Sequence, residues 1–261
     1  MGDRPTSRLT ALVALVWLGA LGACATPPKD PLARAEFERT NDPLEPMNRT
    51  IFEFNQYLDR YLIKPVSLGY LHILPQFARD SIRNFLHNLG EPVIFANDMM
   101  QGEWEAANLT AGRFIINSSF GIGGVFDIAG QTGLERQTGD FGQTLYAWGS
   151  PEGPYLVLPI FGPSNPRDAI GMGVDGVMDP FGYLAGDYEV GTTATISRMS
   201  ASGIDLRSRN IDTLDDIQRN AIDFYAEMRS LYRQHRASEL RHGRPAPPPD
   251  INIMNEPGSQ P

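Results

Sequence analysis

The stretch FGIGGVFDIAG, Phe120 to Gly130, sets Gly121, Gly123, Gly124 and Gly130 among Phe, Ile and Val and carries one charge, Asp127. Read as a phosphate-cradling loop it implies an α/β fold, since such loops join a buried strand to a helix start. No lysine followed by serine or threonine comes after the glycines, so the phosphate-loop pattern fails. From Phe114 to Leu134, twenty-one positions, Asp127 is the sole charge, while Asn117, Ser118, Ser119 and the glycines make the run too polar for a spanning helix. Two readings remain: a buried core loop, or an apolar hairpin offered to acyl chains. In the second, glycine permits the turning and Phe120, Ile122, Val125, Phe126 and Ile128 supply the greasy contact.

The flanking sequence is helical. NRTIFEFNQYLDRYLI (48–63) places Ile51, Phe54, Leu58 and Tyr61 on one face. PQFARDSIRNFLHNLGEP (75–92) opens on Pro75, closes at Gly90 and Pro92, and carries Ala78, Ile82, Phe85 and Leu89 as its stripe. A short helix follows from Glu91 to Gly102, with Val93, Ile94, Met99 and Met100. Another, from Glu103 to Asn117, is expected to bury Trp104, Ala107, Ala111, Phe114 and Ile115. Residues 164–178 and 188–207 read as two more. The longest helix is expected over 213–239, opened by a capping box of Thr213 and Asp216, with Leu214, Ile217, Ala221, Phe224, Met228 and Leu231 recurring at helical spacing. Strand signals are scarce: YLVLPIF (155–161) is extended in character, but Pro159 argues against a central strand. The fold class is mainly α, one domain with irregular glycine- and proline-rich segments between about 118 and 165 and little or no sheet.

At the beginning of the chain Arg4 and Arg8 precede ALVALVWLGALGA (11–23), an apolar run too short to span a bilayer and of signal-peptide length. Directly after it, in LGAC, stands Cys24, the single cysteine of the 261 residues. LGAC resembles a bacterial lipobox, which implies cleavage before Cys24 and acylation of that residue. Two or three acyl chains anchor a protein firmly where one does so marginally. Ala25, in the position where an aspartate favours retention at the inner membrane, points to the outer membrane.

The expected organisation is a signal peptide over 1–23, a lipidated tether over 24–41, a helical domain over 42–239 and a disordered proline-rich tail over 240–261. The chain from Cys24 onward carries a net charge of −10. That balance opposes nucleic-acid binding, which needs a basic footprint.

Enzyme motifs fail in turn. GMGVDG (171–176) has dinucleotide-loop spacing, but NPRDAI before it reads as a helix start and Asp175 places negative charge where phosphate belongs. The small-residue spacing fits close packing of that helix on a neighbour. His72, His87, His235 and His242 show no metal-ligand spacing, and no Gly-x-Ser-x-Gly elbow is present. The sequons at Asn48, Asn108 and Asn117 are chance matches in a bacterial chain. The reading is of a non-enzyme without cofactor or metal.

Three segments carry a family resemblance: DPLEPMNR (42–49), GRFIINSSFGIGGVFDIA (112–129) and GPYLVLPIFGPSNPRD (153–168). In this order behind a lipobox they resemble the signatures of the MlaA (VacJ) family of outer-membrane lipoproteins, over about residues 42–235. The resemblance implies a ring-like helical domain in the inner leaflet of the outer membrane, on its periplasmic face. It implies an amphipathic channel that takes misplaced phospholipid from the outer leaflet to a soluble periplasmic carrier, and association with a trimeric porin. The channel and hairpin candidates are Phe120, Ile122, Gly123, Gly124, Val125, Phe126 and Ile128. The signature polar residues Asp42, Asn48, Arg49, Asp127, Arg167 and Asp168 either pair with one another as scaffolding or meet the headgroup, and pairing is the favoured reading. A scaffold lipoprotein docking on outer-membrane proteins and, less well supported, a lipid-active hydrolase are the rival functions.

Overall fold

The structure, a computed structural model, describes residues 29, 30, 34, 40–183, 188–242 and 244. The signal peptide, Cys24, nearly all of the tether and the tail from residue 245 onward lie outside these. Helix α1 (Glu45–Leu58) passes through one π-helical turn (Asp59–Ile63) into α2 (Lys64–Ile73). Pro65 has no N–H to donate back to the preceding turn, and the wider turn just before it absorbs that loss without ending the helix.

Helix α3 (Gln76–Gln101) runs 26 residues without interruption through Gly90 and Pro92 and stops at Gly102, whose φ of 78° is the left-handed cap glycine favours. The two helices expected on either side of Pro92 are therefore one. An interior proline costs about 3 kcal/mol, and the packing of α3 on α4 (Trp104–Ser119), the most extensive helix pair of the fold, outweighs it.

Short elements fill the segment expected to be irregular. They are α5 (Ile128–Gln131), α6 (Phe141–Ala147) with a capping box from Asp140 and Gln143, and the antiparallel pair β1 (Leu156–Leu158) and β2 (Gly162–Ser164). Val157 lies opposite Pro163, and the proline is tolerated because this small sheet has only edges. Helix α7 (Pro166–Met178) is capped by Asn165 and contains GMGVDG entirely. There a Cβ on Gly171 would collide with the backbone of Gly142, so the small residue serves close packing of α7 on α6.

A 3-10 turn (Pro180–Gly182) precedes α8 (Tyr188–Arg209), α9 (Ile211–Asn220) and α10 (Phe224–Glu239). The long helix expected over 213–239 is thus two. The chain turns extended at Ala221, and Asp223 caps α10 by accepting from the Ala226 N–H. Thr213 and Asp216 form no capping box, because α9 begins earlier, at Ile211.

Contacts between elements close a circuit. β1 packs on α1, α2 on α8, α8 on α3 and α3 on α6. Arg236 of α10 holds Asp140 at the start of α6, and α10 returns to β2. The apolar core is small: Phe52, Tyr155, Val157 and Tyr225, with aromatic rings meeting edge to face.

Most of what is buried is polar or charged, including Asn48, Ser67, Glu91, Asn97, Asp98 and Thr110. Large apolar side chains point outward instead. Trp104 and Ile115, expected to be buried, are exposed, and so are Phe54, Tyr61 and Phe85 of the apolar stripes, together with Phe77, Leu62 and Ile73. The helical periodicity was correct, but the large side chains of these stripes turn toward the surroundings, while Ala107 is buried as expected and Ile51 packs on the core. Scattered exposed apolar residues are ordinary, but a polar interior beneath a broad apolar exterior is the arrangement suited to apolar surroundings. No helix among the described residues is long and apolar enough to cross a membrane.

Candidate functional site

The polar interior opens into a hollow of about 50 Å3 between α3, α4 and the glycine-rich turn. Asn84, His87, Asn88 and Glu91 of α3 line one wall. Their spacing of three, four and seven residues stacks them on one helical face. Arg113 and Asn117, four apart on α4, form the opposite wall, with Asp127 and Arg136 beyond them.

The α4 wall is held by bonds within the protein. Arg113 donates to Leu134 O, to Asp127 Oδ1 at 3.0 Å and to Glu91 Oε1 at 3.5 Å. Asn117 donates to Asp127 Oδ1 and accepts from the Ala129 N–H, both at 2.9 Å. Burial works to raise the Asp127 carboxyl, but the Gly130 N–H, Asn117 and Arg113 outweigh it and hold the group below the usual carboxylate range.

Other groups here are less satisfied. Burial pushes Glu91 up, against the opposing charges of Arg136 and Arg113. It drives His87 down to about 4, helped by Arg136, Arg209 and Arg83, so the imidazole is neutral near pH 7. Arg136 is solvent-accessible yet crowded by protein that draws its guanidinium below the usual arginine range, with Glu91 opposing. That combination belongs to a side chain lining a wet hollow.

Over the hollow lies the turn. Its backbone bonds, Phe126 N to Gly121 O at 2.9 Å and Gly124 N to Asn117 O at 2.9 Å, fold it as a compact turn rather than as paired strands. Asn88 pins it from below, donating to Ser118 Oγ at 2.9 Å and to Gly123 O at 3.2 Å. Gly124, at φ 97°, sits where any Cβ would land on the Asn88 side chain.

On top, Phe120 is 75% exposed, Ile122 71% and Phe126 48%, while Val125 and Ile128 are half-buried. Ile122 holds φ 54°, a left-handed conformation that disfavours a β-branched residue. A buried core loop does not describe this turn: its apolar side chains stand outside.

Of the signature polar residues only Asp127 lines the hollow. Asp42 accepts from Asn48 (2.8 Å), from Tyr225 Oη and from Arg229 (2.7 Å). Asn48 also donates to Tyr155 O and accepts from the Val157 N–H, tying α1 to β1. Arg49 forks onto Asp223 at 2.6 and 3.2 Å and reaches Glu45. Arg167 bonds Asp168 at 3.0 Å, and Asp168 in turn holds Arg236 and Tyr232. Asp42, Asn48, Arg49 and Asp168 are braces between distant parts of the chain, and Arg167 supports its neighbour Asp168.

Asn84, His87, Asn88, Glu91, Arg113 and Arg136 escaped sequence reasoning. The signal lay in the α3 spacing, which marks a polar stripe as clearly as an apolar one but is discarded when polar residues are assumed to face water.

A helical circuit with a polar interior, an apolar exterior and a greasy turn over a charged hollow defines a class: a helical protein built to sit in apolar surroundings. Within that class the chain belongs to the MlaA lipoprotein family, whose model matches residues 40–239. It is 33% identical over 231 residues to the intermembrane phospholipid transport system lipoprotein MlaA of Escherichia coli K12, covering 87% of this chain and 86% of that one. The namesake of Haemophilus influenzae is 32% identical over 240 residues, covering 90% and 92%. A solved structure described as the structural basis for maintenance of bacterial outer membrane lipid asymmetry superposes with a TM-score of 0.67 at 31% identity, covering 76% of this chain and 98% of that one.

Proposed function

We propose that this chain is an outer-membrane lipoprotein, anchored through Cys24 on the periplasmic side, that withdraws phospholipid misplaced in the outer leaflet. The headgroup passes through the polar hollow while the tails stay on the apolar face of the Phe120–Phe126 turn. The observation that carries this reading is the charged hollow directly beneath an exposed apolar turn. Drawing an unpaired ionic headgroup through hydrocarbon costs several kcal/mol or more, and a polar-lined passage removes that barrier without fuel.

At about 50 Å3 the hollow holds a water or two, so a headgroup enters only when the turn swings away. The turn is therefore the gate. Release into water is excluded: two acyl chains of about 15 methylenes each, at about 0.8 kcal/mol per methylene, cost roughly 24 kcal/mol. A soluble carrier with its own apolar pocket must dock to receive the lipid. A trimeric porin is the partner we assign to the apolar exterior.

Deleting the gene and assaying phospholipid in the outer leaflet tests the reading. Phospholipid accumulates there on deletion and clears on complementation. Complementation with Phe126→Ser or Ile128→Ser changes the rate of clearance. An unchanged leaflet on deletion overturns transport in favour of a scaffold, and wild-type clearance by folded variants overturns the gate.

A further inference from the structure

Arg113, Asn117 and Asp127 are tied to one another and to the protein around them, but the remaining wall is not. Arg136 makes no hydrogen bond or ion pair among the described residues, although it lines the same hollow as Glu91. Glu91 Oε2 and Asn88 Oδ1 are buried acceptors without a donor. Buried polar atoms are nearly always satisfied, and each one left open costs on the order of 1–3 kcal/mol. Among the described residues the lining thus carries a solvent-accessible cation without a protein partner and two buried acceptors without a donor, a positive pole and a negative pole.

We propose that these poles read a zwitterionic phosphate ester: Arg136 takes the phosphate oxygens, and Glu91 Oε2 with Asn88 Oδ1 takes a primary ammonium a few bonds away. A guanidinium fork suits a phosphate diester, and a carboxylate beside an amide oxygen suits an ammonium. The inference rests on the proposed function and adds a headgroup class to it. A headgroup without the ammonium satisfies only Arg136; a diacylglycerol satisfies neither pole. Arg113 is the poorer phosphate contact, because each of its three nitrogens already donates within the protein, to Glu91, Leu134 O and Asp127, and its charge is shared with two carboxylates.

The test is native mass spectrometry of the mature acylated protein in detergent, titrated with phosphatidylethanolamine, phosphatidylglycerol and diacylglycerol of matched tails. Wild type binds the ethanolamine lipid best and diacylglycerol about tenfold more weakly. Arg136→Gln, which breaks no hydrogen bond or ion pair among the described residues, loses the advantage of both phospholipids over diacylglycerol while keeping the wild-type helical circular dichroism spectrum. Arg136→Lys retains part of it.

Glycerophosphoethanolamine, the headgroup without tails, competes only at far higher concentration than the lipid. Competition at equal concentration overturns the lipid as the ligand in favour of a soluble phosphate ester. Unchanged binding by Arg136→Gln overturns the phosphate assignment, and equal affinity for the ethanolamine and glycerol lipids overturns the ammonium pole; both leave transport standing. Failure of wild type to bind any of the three lipids overturns the transport reading and this inference with it.

Discussion

Gly124 shows how much a single atom decides. Its left-handed φ and the Asn88 side chain where a Cβ would go make it the point at which the turn seats on α3. Gly124→Ala is expected to cost about 2–4 kcal/mol from overlap and backbone strain together, read as a lowered melting midpoint in detergent. Gly69→Ala, inside α2 with open space around the added methyl, gains about 0.5–1 kcal/mol instead.

His87 carries a pH prediction. Its folded pKa of about 4 lies below the free value near 6.5, so between those values the unfolded chain binds the extra proton and stability falls as pH falls. Arg136, Arg209, Arg83 and Asp205 face the imidazole, and Glu91, raised by burial, acts in the opposite sense. The difference between wild type and His87→Gln isolates the histidine. After allowance for partial exposure, it is about 2 kcal/mol of pH-dependent stability lost between pH 7 and 4 and absent from the variant. At this scale the sequence left the glycine-rich stretch between a buried loop and an apolar hairpin, and the exposure of Phe120, Ile122 and Phe126 on a compact turn decides against the buried loop. Asn88 and Glu91 were not, because nothing local says that a polar residue faces inward.

At the scale of elements, ends are fixed by polar caps and braces more than by propensity. Asp140 closes the capping box of α6 with Gln143 and receives Arg236 of α10 at 2.6 and 2.8 Å, so one carboxylate both starts a helix and closes the circuit. Asp140→Ala is expected to cost about 2–4 kcal/mol, since it removes a cap and leaves buried Arg236 short of a partner. Asp140→Asn keeps the cap and falls in between; thermal melts followed by helical circular dichroism check the order.

Helix existence was read correctly from spacing in nearly every case, and boundaries failed where a tertiary contact overruled a local signal. Pro92 did not end α3 because α4 packs along it, and the apolar repeat across 213–239 did not keep one helix because Asp223 caps a new one.

For the whole molecule the decisive feature is the inverted distribution of polarity. Periodicity is blind to it, since an apolar stripe and its polar complement have the same period. The chain from Cys24 onward holds two tryptophans, Trp104 and Trp148, both exposed, and Trp148 donates its indole N–H to Met100 O near the end of α3. Both rings therefore lie at one end of the α3–α4 pair, as tryptophans do at a bilayer interface. In vesicles, lipids brominated high on their chains should quench the intrinsic fluorescence more strongly than lipids brominated near the bilayer centre.

Cys24 is the only natural thiol and is acylated in the proposed form, so single cysteines report polarity cleanly. The direct measurement is labelling of Asn84→Cys, in the hollow, and Phe77→Cys, on the outer face, in membranes. A charged water-borne thiol reagent and a lipid-soluble one serve as the two probes. The account predicts that the charged reagent modifies position 84 and spares 77, while the lipid-soluble reagent modifies 77. Protection of 84 together with aqueous labelling of 77 would contradict a wet interior inside an apolar shell.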